Sequence, residues 1–227
     1  MGFVCYYCKQ RTILEPQEVV IGQRCETIRS ATGRTLVSKN CTVQIMPLKN
    51  NLKSFFSLNN VLKDTLDYLH DLRERSFGIE NIVQGSVWKN IIQHVTDGEL
   101  NFPLIIYFDD FEIGNPLGSH AGVHKLGGLY VTIPCLPPNY VSLLQNIFIL
   151  ALFHSSVRTT FGNNITFQKV FDLLNDLKLN GINADNKQYK GVIRFHVAAV
   201  TGDNLGLNGM LGFVEFFCKS TMQNLCC

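Results

Sequence analysis

Apolar residues along this chain recur in two rhythms, and the changes from one to the other outline its elements. Glu18-Val-Val-Ile-Gly22 and Cys41-Thr-Val-Gln-Ile-Met-Pro47 are β-prone, and Ala31-Thr-Gly33 between them has turn chemistry. From Asn51 to Arg73 the rhythm is helical, with Leu52, Phe55, Phe56, Leu62, Leu66, Leu69 and Leu72 at spacings of three and four. This predicts two helices, the second capped by the side chain of Asn59 or Asn60. Residues 77–95 form a connector leading into a short helix, with Trp88 as a packing anchor.

A second block begins near Asn101. Pro103 to Phe108 predicts a central strand, and after a turn at Asn115-Pro-Leu-Gly118 a further strand runs from Leu126 to Ile133 until Pro134, Pro137 and Pro138 close it. Tyr140 to Phe153 carries Leu143, Leu144, Ile147, Leu150 and Ala151 and is expected as a helix buried on most sides. Phe167 to Leu179 is an amphipathic helix stopped by Gly181, Gly191 to Val200 is a strand, and a glycine-punctuated helical stretch follows from Leu205 to about Phe217.

Composition narrows the class. The chain is 46% hydrophobic and 17% charged, which excludes a disordered protein, and its net charge of +2 gives no global field for a polyanion. Its longest apolar run, around Ile147 to Phe153, falls far short of a membrane span. The first residues lack a basic lead-in and a long apolar segment, so no signal peptide is expected. The eight cysteines are scattered in a chain long enough to bury a core, which favours free thiols in a reducing compartment. The expectation is a soluble intracellular protein.

The chemistry concentrates at two strand ends. Pro103-Leu-Ile-Ile-Tyr-Phe ends in Asp109-Asp110, and Val192-Ile-Arg-Phe-His-Val-Ala-Ala-Val-Thr-Gly ends in Asp203. A carboxylate at the end of a buried strand is costly unless a cation or donor meets it, so the pair suggests a shared metal site. The alternative is structural: Asp109 or Asp110 begins a turn, and Asp203 caps the next helix. Period-two alternation sends Asp109 and Asp110 to opposite faces, so only one of them points at the site. The order of parts, from the strand with Asp109 through strand and helix to the strand with Asp203, is that of a ribonuclease H-like domain. There two divalent cations cleave phosphodiesters between clustered carboxylates.

Two segments carry a closer resemblance: Tyr107-Phe-Asp-Asp-Phe-Glu-Ile-Gly-Asn-Pro-Leu-Gly-Ser-His-Ala-Gly-Val-His-Lys-Leu-Gly127 and Gly202-Asp-Asn-Leu-Gly-Leu-Asn-Gly-Met-Leu-Gly-Phe-Val-Glu215. They resemble transposase-related proteins of metazoan cut-and-paste elements, near the Kyakuja, Dileera and Zisupton group. The looser similarity includes Ile45-Met-Pro-Leu-Lys49 and Gln84-Gly-Ser-Val-Trp88. The resemblance implies a DDE-type ribonuclease H-like nuclease that cuts and joins DNA with Mg²⁺ or Mn²⁺, works in the nucleus, and associates with itself or a parent transposase. Carried over by position, the catalytic and metal-binding acids are Asp109, with Asp110 as rival, and Asp203.

The family continues past Gly-Phe-Val-Glu into paired cysteines and a later third acid, whereas this chain runs Phe216-Phe-Cys-Lys-Ser-Thr-Met-Gln-Asn-Leu-Cys-Cys227. A C-terminal truncation and loss of cleavage activity are therefore expected. Glu215 as a substitute acid would lie about 18 Å along a helix from Asp203. A catalytically silent DNA-binding or protein-interaction module is the alternative.

Lesser candidates complete the set. Glu112 is a nearby acid or a surface charge. His120 and His124 flank a glycine turn without helical geometry to converge on a metal, while His124 and Lys125 are candidate nucleic-acid contacts. Cys5-x-x-Cys8 is half a zinc site without a second pair, so no zinc is expected. Gly202-x-x-x-Gly206-x-x-Gly209 departs from the nucleotide-binding fingerprints. The expected architecture is α/β: a small, mainly helical N-terminal region over residues 1–100 with short β pieces, then a partial ribonuclease H-like core of mixed sheet and flanking helices over 101–227.

Overall fold

The computed structural model describes residues 3–4, 13–30, 33–75, 78–95, 98–113, 125–187, 189–203 and 206–208. The chain is mixed α/β. A two-residue pair, β1 (Phe3–Val4) with β2 (Ile13–Leu14), precedes a long hairpin of β3 (Gln17–Ser30) and β4 (Gly33–Ile45). Helices α1 (Leu48–Phe56), α2 (Val61–Glu74) and α3 (Ser86–Ile92) follow. Then come β5 (Leu100–Glu112), β6 (Lys125–Thr132), the short α4 (Pro138–Val141), β7 (Phe148–His154), α5 (Ser155–Leu179), β8 (Ile182–Asp185) and β9 (Lys190–Gly202).

Seven strands form one sheet in the order β3-β4-β7-β6-β5-β9-β8. Pairing is antiparallel throughout except between β5 and β9, which run parallel from Leu100↔Ile193 to Phe108↔Gly202. A parallel pair cannot be closed by a tight turn, so the chain between them must cross over, and α5 is part of that crossover. The hairpin from the first hundred residues joins this same sheet through β4, whose Val43 to Ile45 pair with β7.

Alternation along β5 decides which face is covered. Phe102, Leu104, Ile106 and Phe108 are buried, while Tyr107 on the other face is exposed. On the covered face α1 brings Phe55 against Phe148 and Phe56 against Phe102 and Phe195, at centroid distances of 5.5, 5.3 and 5.9 Å. Farther along, α5 sets Phe167 against Phe153 at 5.5 Å and Phe108 at 6.5 Å. Aromatic pairs of this kind add about 0.5–1.5 kcal/mol each beyond their burial. Lys49 Nζ donates to Asp176 Oδ2 at 2.6 Å, tying α1 to α5 across the layer.

Four elements depart from the sequence reading. The helix expected over 140–153 is instead one turn at α4, a 3-10 turn, and the strand β7. β7 lies between β4 and β6 and buries residues on both faces, so its apolar run is continuous and imitates a buried helix. Asn60 occupies the N-cap position of α2 but adopts φ 68° and makes no side-chain capping bond. The helix expected from Phe167 begins at Ser155, is interrupted at Gly162, and ends where the amide of Gly181, at φ +57°, donates to the Asp176 carbonyl. The strand β8 has no counterpart in the sequence reading. The helical stretch expected from Leu205 is described only at 206–208; the rest lies outside the described residues.

Trp88 is the anchor its size suggests. At 4% exposure it holds α3 on the opposite face, edge-on to the His196 ring at 6.1 Å. Nε2 of His196 lies 2.7 Å from Asn101 Oδ1, a pure acceptor, so Nε2 carries the proton. Burial pulls the His196 pKa below its usual value, and the charges of Lys178 and Arg194 push it the same way. The unfolded chain therefore takes up this proton first. The stabilisation is complete above the ordinary imidazole value of 6.5 and is lost as pH falls through the lower folded value. Denaturant midpoints should fall over that window in the native chain, and His196→Gln should flatten that segment of the profile.

Candidate functional site

The ladder between β5 and β9 stops where β9 ends, while β5 continues against β6 to Glu112. The last residues of that ladder are Phe108 and Gly202, and Asp109 and Asp203 each stand one position beyond. Two parallel strands thus deliver carboxylates to one edge of the sheet, and α5 passes over the same end.

Alternation then separates the two neighbouring aspartates. Asp110 follows Phe108 on the face covered by α5, where its side chain is 12% exposed. Ser155 Oγ donates to its Oδ1 at 2.6 Å, Arg158 Nη2 donates to its Oδ2 at 3.2 Å, and Lys125 Nζ lies 3.8 Å from Oδ2. Arg158 is itself only 13% exposed and lies over the Phe108 ring, 5.4 Å from its centroid. Gly127, paired with Asp110 across β5 and β6, leaves the necessary room: a methyl there would meet Phe153 at 2.6 Å and Asp110 Oδ1 at 3.1 Å. The acid is therefore enclosed by a hydroxyl, a guanidinium and an ammonium, all from the chain itself.

Asp109 faces the other way, with Tyr107 and Tyr130, whose rings are 6.3 Å apart. Burial raises the Tyr130 pKa, and the negative charge of Asp109 adds to it. Asp203 takes the role of a cap: its Oδ1 accepts from the Gly206 amide at 2.5 Å, and its carbonyl accepts from the Leu207 amide at 2.9 Å. A methyl at Gly206 would touch both Asp203 Oδ1, at 2.6 Å, and Phe108 Cδ1, at 3.1 Å. The chain has turned out of the strand, and the Asp203 carboxylate lies beside Phe108, the residue that shares its face with Asp110.

No protein-family model and no curated protein matches the chain. The site must be read from its own geometry. Lys125 lies beside Asp110, and Glu112 is paired with Lys125 in the β5–β6 register. His120, His124, Glu215, Cys5 and Cys8 lie outside the described residues. Among the described residues no three His, Cys, Asp or Glu side chains form a metal-holding group. A cavity of about 810 Å³ lined by Leu69, Arg73, Trp88, Lys89 and Leu100 lies toward the other end of β5, apart from the aspartates.

Sequence reasoning passed over Ser155 and Arg158. Their signal was present: His154-Ser-Ser-Val-Arg158 has the polar start of a helix, and His154 Nδ1 accepts from the Ser156 amide at 3.4 Å. Extending a helix through Phe153 concealed that start.

The enclosure of Asp110 has an energetic consequence. Removing one partner of a buried ion pair leaves an uncompensated charge and costs about 3–5 kcal/mol. Arg158→Ala should destabilise the chain by about 3 kcal/mol, Asp110→Asn by less, and the double variant should recover part of the loss. Chemical denaturation of the four proteins measures the coupling, and strict additivity would show that the pair contributes nothing as a pair.

Proposed function

We propose that the chain is a DNA-binding protein of the transposase-derived, ribonuclease H-like class in which the strand-end acids organise structure and do not cut DNA. The class is supported by the meander β5-β6-β7, the parallel return of β9 to β5, the aspartates at the two strand ends, and the two sequence segments that resemble transposase-related proteins. Its partners in this reading are DNA and a transposase chain, its own or a parent's, and its compartment is the nucleus.

The observation that carries the silent character is the contact of Arg158 with Asp110. A divalent ion in the parent chemistry is held by carboxylates that remain free to ligate it. Here the Asp110 oxygens already face Ser155, Arg158 and Lys125, Asp109 points to the opposite face, and Asp203 Oδ1 holds an amide. The described residues do not fit a two-metal centre for Mg²⁺ or Mn²⁺. Arg158 gives Asp110 a fixed positive charge, which pairs the acid without activating water.

The second reading, retained cleavage, is favoured by one feature: the β5–β9 ladder ends at Phe108 and Gly202, so Asp109 and Asp203 follow it side by side in register. Incubation with supercoiled plasmid in Mn²⁺ separates the two readings. The native chain should retard the plasmid in a gel without nicking it, and titration calorimetry should give the same Mn²⁺ response for native and Asp203→Ala. Nicking that disappears in Asp109→Ala or Asp203→Ala would establish the nuclease instead.

A further inference from the structure

We infer that the β3–β4 hairpin is an arm that enters the major groove of duplex DNA; this rests on the DNA-binding reading above and adds the element and the mode of contact. Eight consecutive cross-strand pairs, from Gln23↔Asn40 to Ser30↔Gly33, extend beyond the three residues of β4 that pair with β7. At about 3.4 Å per residue this ribbon is roughly 27 Å long, and B-DNA's major groove, about 12 Å wide, admits a two-stranded ribbon. Residues 33–40 are exposed throughout.

The two faces of the arm differ in charge. Arg24, Glu26 and Ile28 alternate on one face with Lys39, Val37 and Thr35 opposite them. That face turns toward the body of the protein: Arg24 Nη1 donates to Ser156 Oγ at 3.1 Å, and Glu26 is bridged by Arg24 and Lys39. The other face carries Gln23, Thr27 and Arg29 with Asn40, Leu36 and Arg34, and it bears no acid. Arg29 and Arg34 are exposed and directly opposite each other, and among the described residues neither has a carboxylate partner. Like charges in such a pair repel, so the arrangement costs stability in the free protein and becomes favourable when phosphates lie on either side.

Two features select duplex DNA over other occupants. Single-stranded nucleic acid is gripped by aromatic platforms, and residues 23–40 contain no aromatic residue. A second copy would set arginine against arginine, since four basic residues and a single acid occupy this stretch. Gln23 donates to Asn40 Oδ1 at 3.0 Å and accepts from Ser38 Oγ at 3.1 Å, leaving the Asn40 amide and Thr27 hydroxyl to meet base edges. The 68% exposed Leu36 offers an apolar contact of the kind a thymine methyl accepts.

Fluorescence anisotropy over a salt series, with a mixed-sequence duplex and one of its strands alone, tests the inference on the whole chain. The native protein should prefer the duplex. Arg29→Ala/Arg34→Ala should weaken duplex binding about tenfold and lower the salt slope by about 2, since each lost phosphate contact removes about 0.9. Arg29→Lys/Arg34→Lys should keep the slope. Thermal melting of the alanine variant should be unchanged or higher, because a repulsion is removed. Native binding that the alanine variant retains with an unchanged slope would overturn the arm and leave the DNA-binding reading standing. Equal losses on duplex and single strand would overturn the groove mode. Self-association of the native chain that vanishes in the alanine variant would assign the arm to a second copy. Absence of native binding to either probe would remove both readings.

Discussion

Asn101 and His196 are 95 positions apart and yet hydrogen-bonded, because β5 and β9 lie side by side and parallel. Everything between them has to leave the end of β5 and return to the start of β9. The meander through β6 and β7 uses tight antiparallel pairing to move away from β5, and α5 then carries the chain back across the covered face. Phe108, Phe153 and Phe167 meet where that helix crosses, so the crossover is fixed by aromatic packing. The same geometry ends the β5–β9 ladder at Phe108 and Gly202, so Asp109, still within β5, and Asp203, just past β9, are brought to a common region of the sheet by topology alone.

What such an edge can do depends on which cations meet the acids. A guanidinium and a divalent ion both relieve the cost of burying a carboxylate, but they leave it in different states. Arg158 lies over the Phe108 ring and offers Asp110 only N–H donors and a fixed charge. It has no Lewis-acid position to lower the pKa of a bound water, whereas a metal keeps open coordination positions for water and substrate. Ser155 and Arg158 both come from the first turn of α5, so the helix that closes the fold also neutralises Asp110. The closing of the fold and the pairing of Asp110 are thus tied to one helix, with Lys125 of β6 adding a second cation.

The sequence revealed the α/β class and the positions of β5, β6, β9, α1 and α2 because each has a covered face and hence a periodic apolar pattern. It misled at β7, where burial on both faces erases the period, and at Asn60, where the residue type suits a cap but the backbone is left-handed. The hairpin was legible only at its root, in Glu18 to Gly22 and Cys41 to Pro47. Residues 23–40 lack a core to face, so nothing in their apolar content marks them as strand. At the site, the strand-end aspartates were visible as types in a pattern. Their directions were not, because Asp109 and Asp110 differ only in the parity of their position relative to Phe108.

The arm raises a problem that its own sequence answers. A fourteen-residue strand at the edge of a sheet exposes a row of unpaired amides and carbonyls that any second strand can join. Apolar residues such as Val20, Ile28 and Leu36 would strengthen such an encounter. Arg24, Arg29, Arg34 and Lys39 oppose it, since two identical arms meeting edge to edge would align their cations. These charges keep the arm single only where they stay unneutralised, since an ion-paired cation shows a second arm little net charge. The base of the arm gives part of that up, because Glu26 answers Arg24 and Lys39, while the opposed guanidiniums at the tip have no acid across from them. Bare charge at the tip thus protects the edge where β3 and β4 stand farthest from the body, and the same two guanidiniums are the ones an anion from outside would meet first.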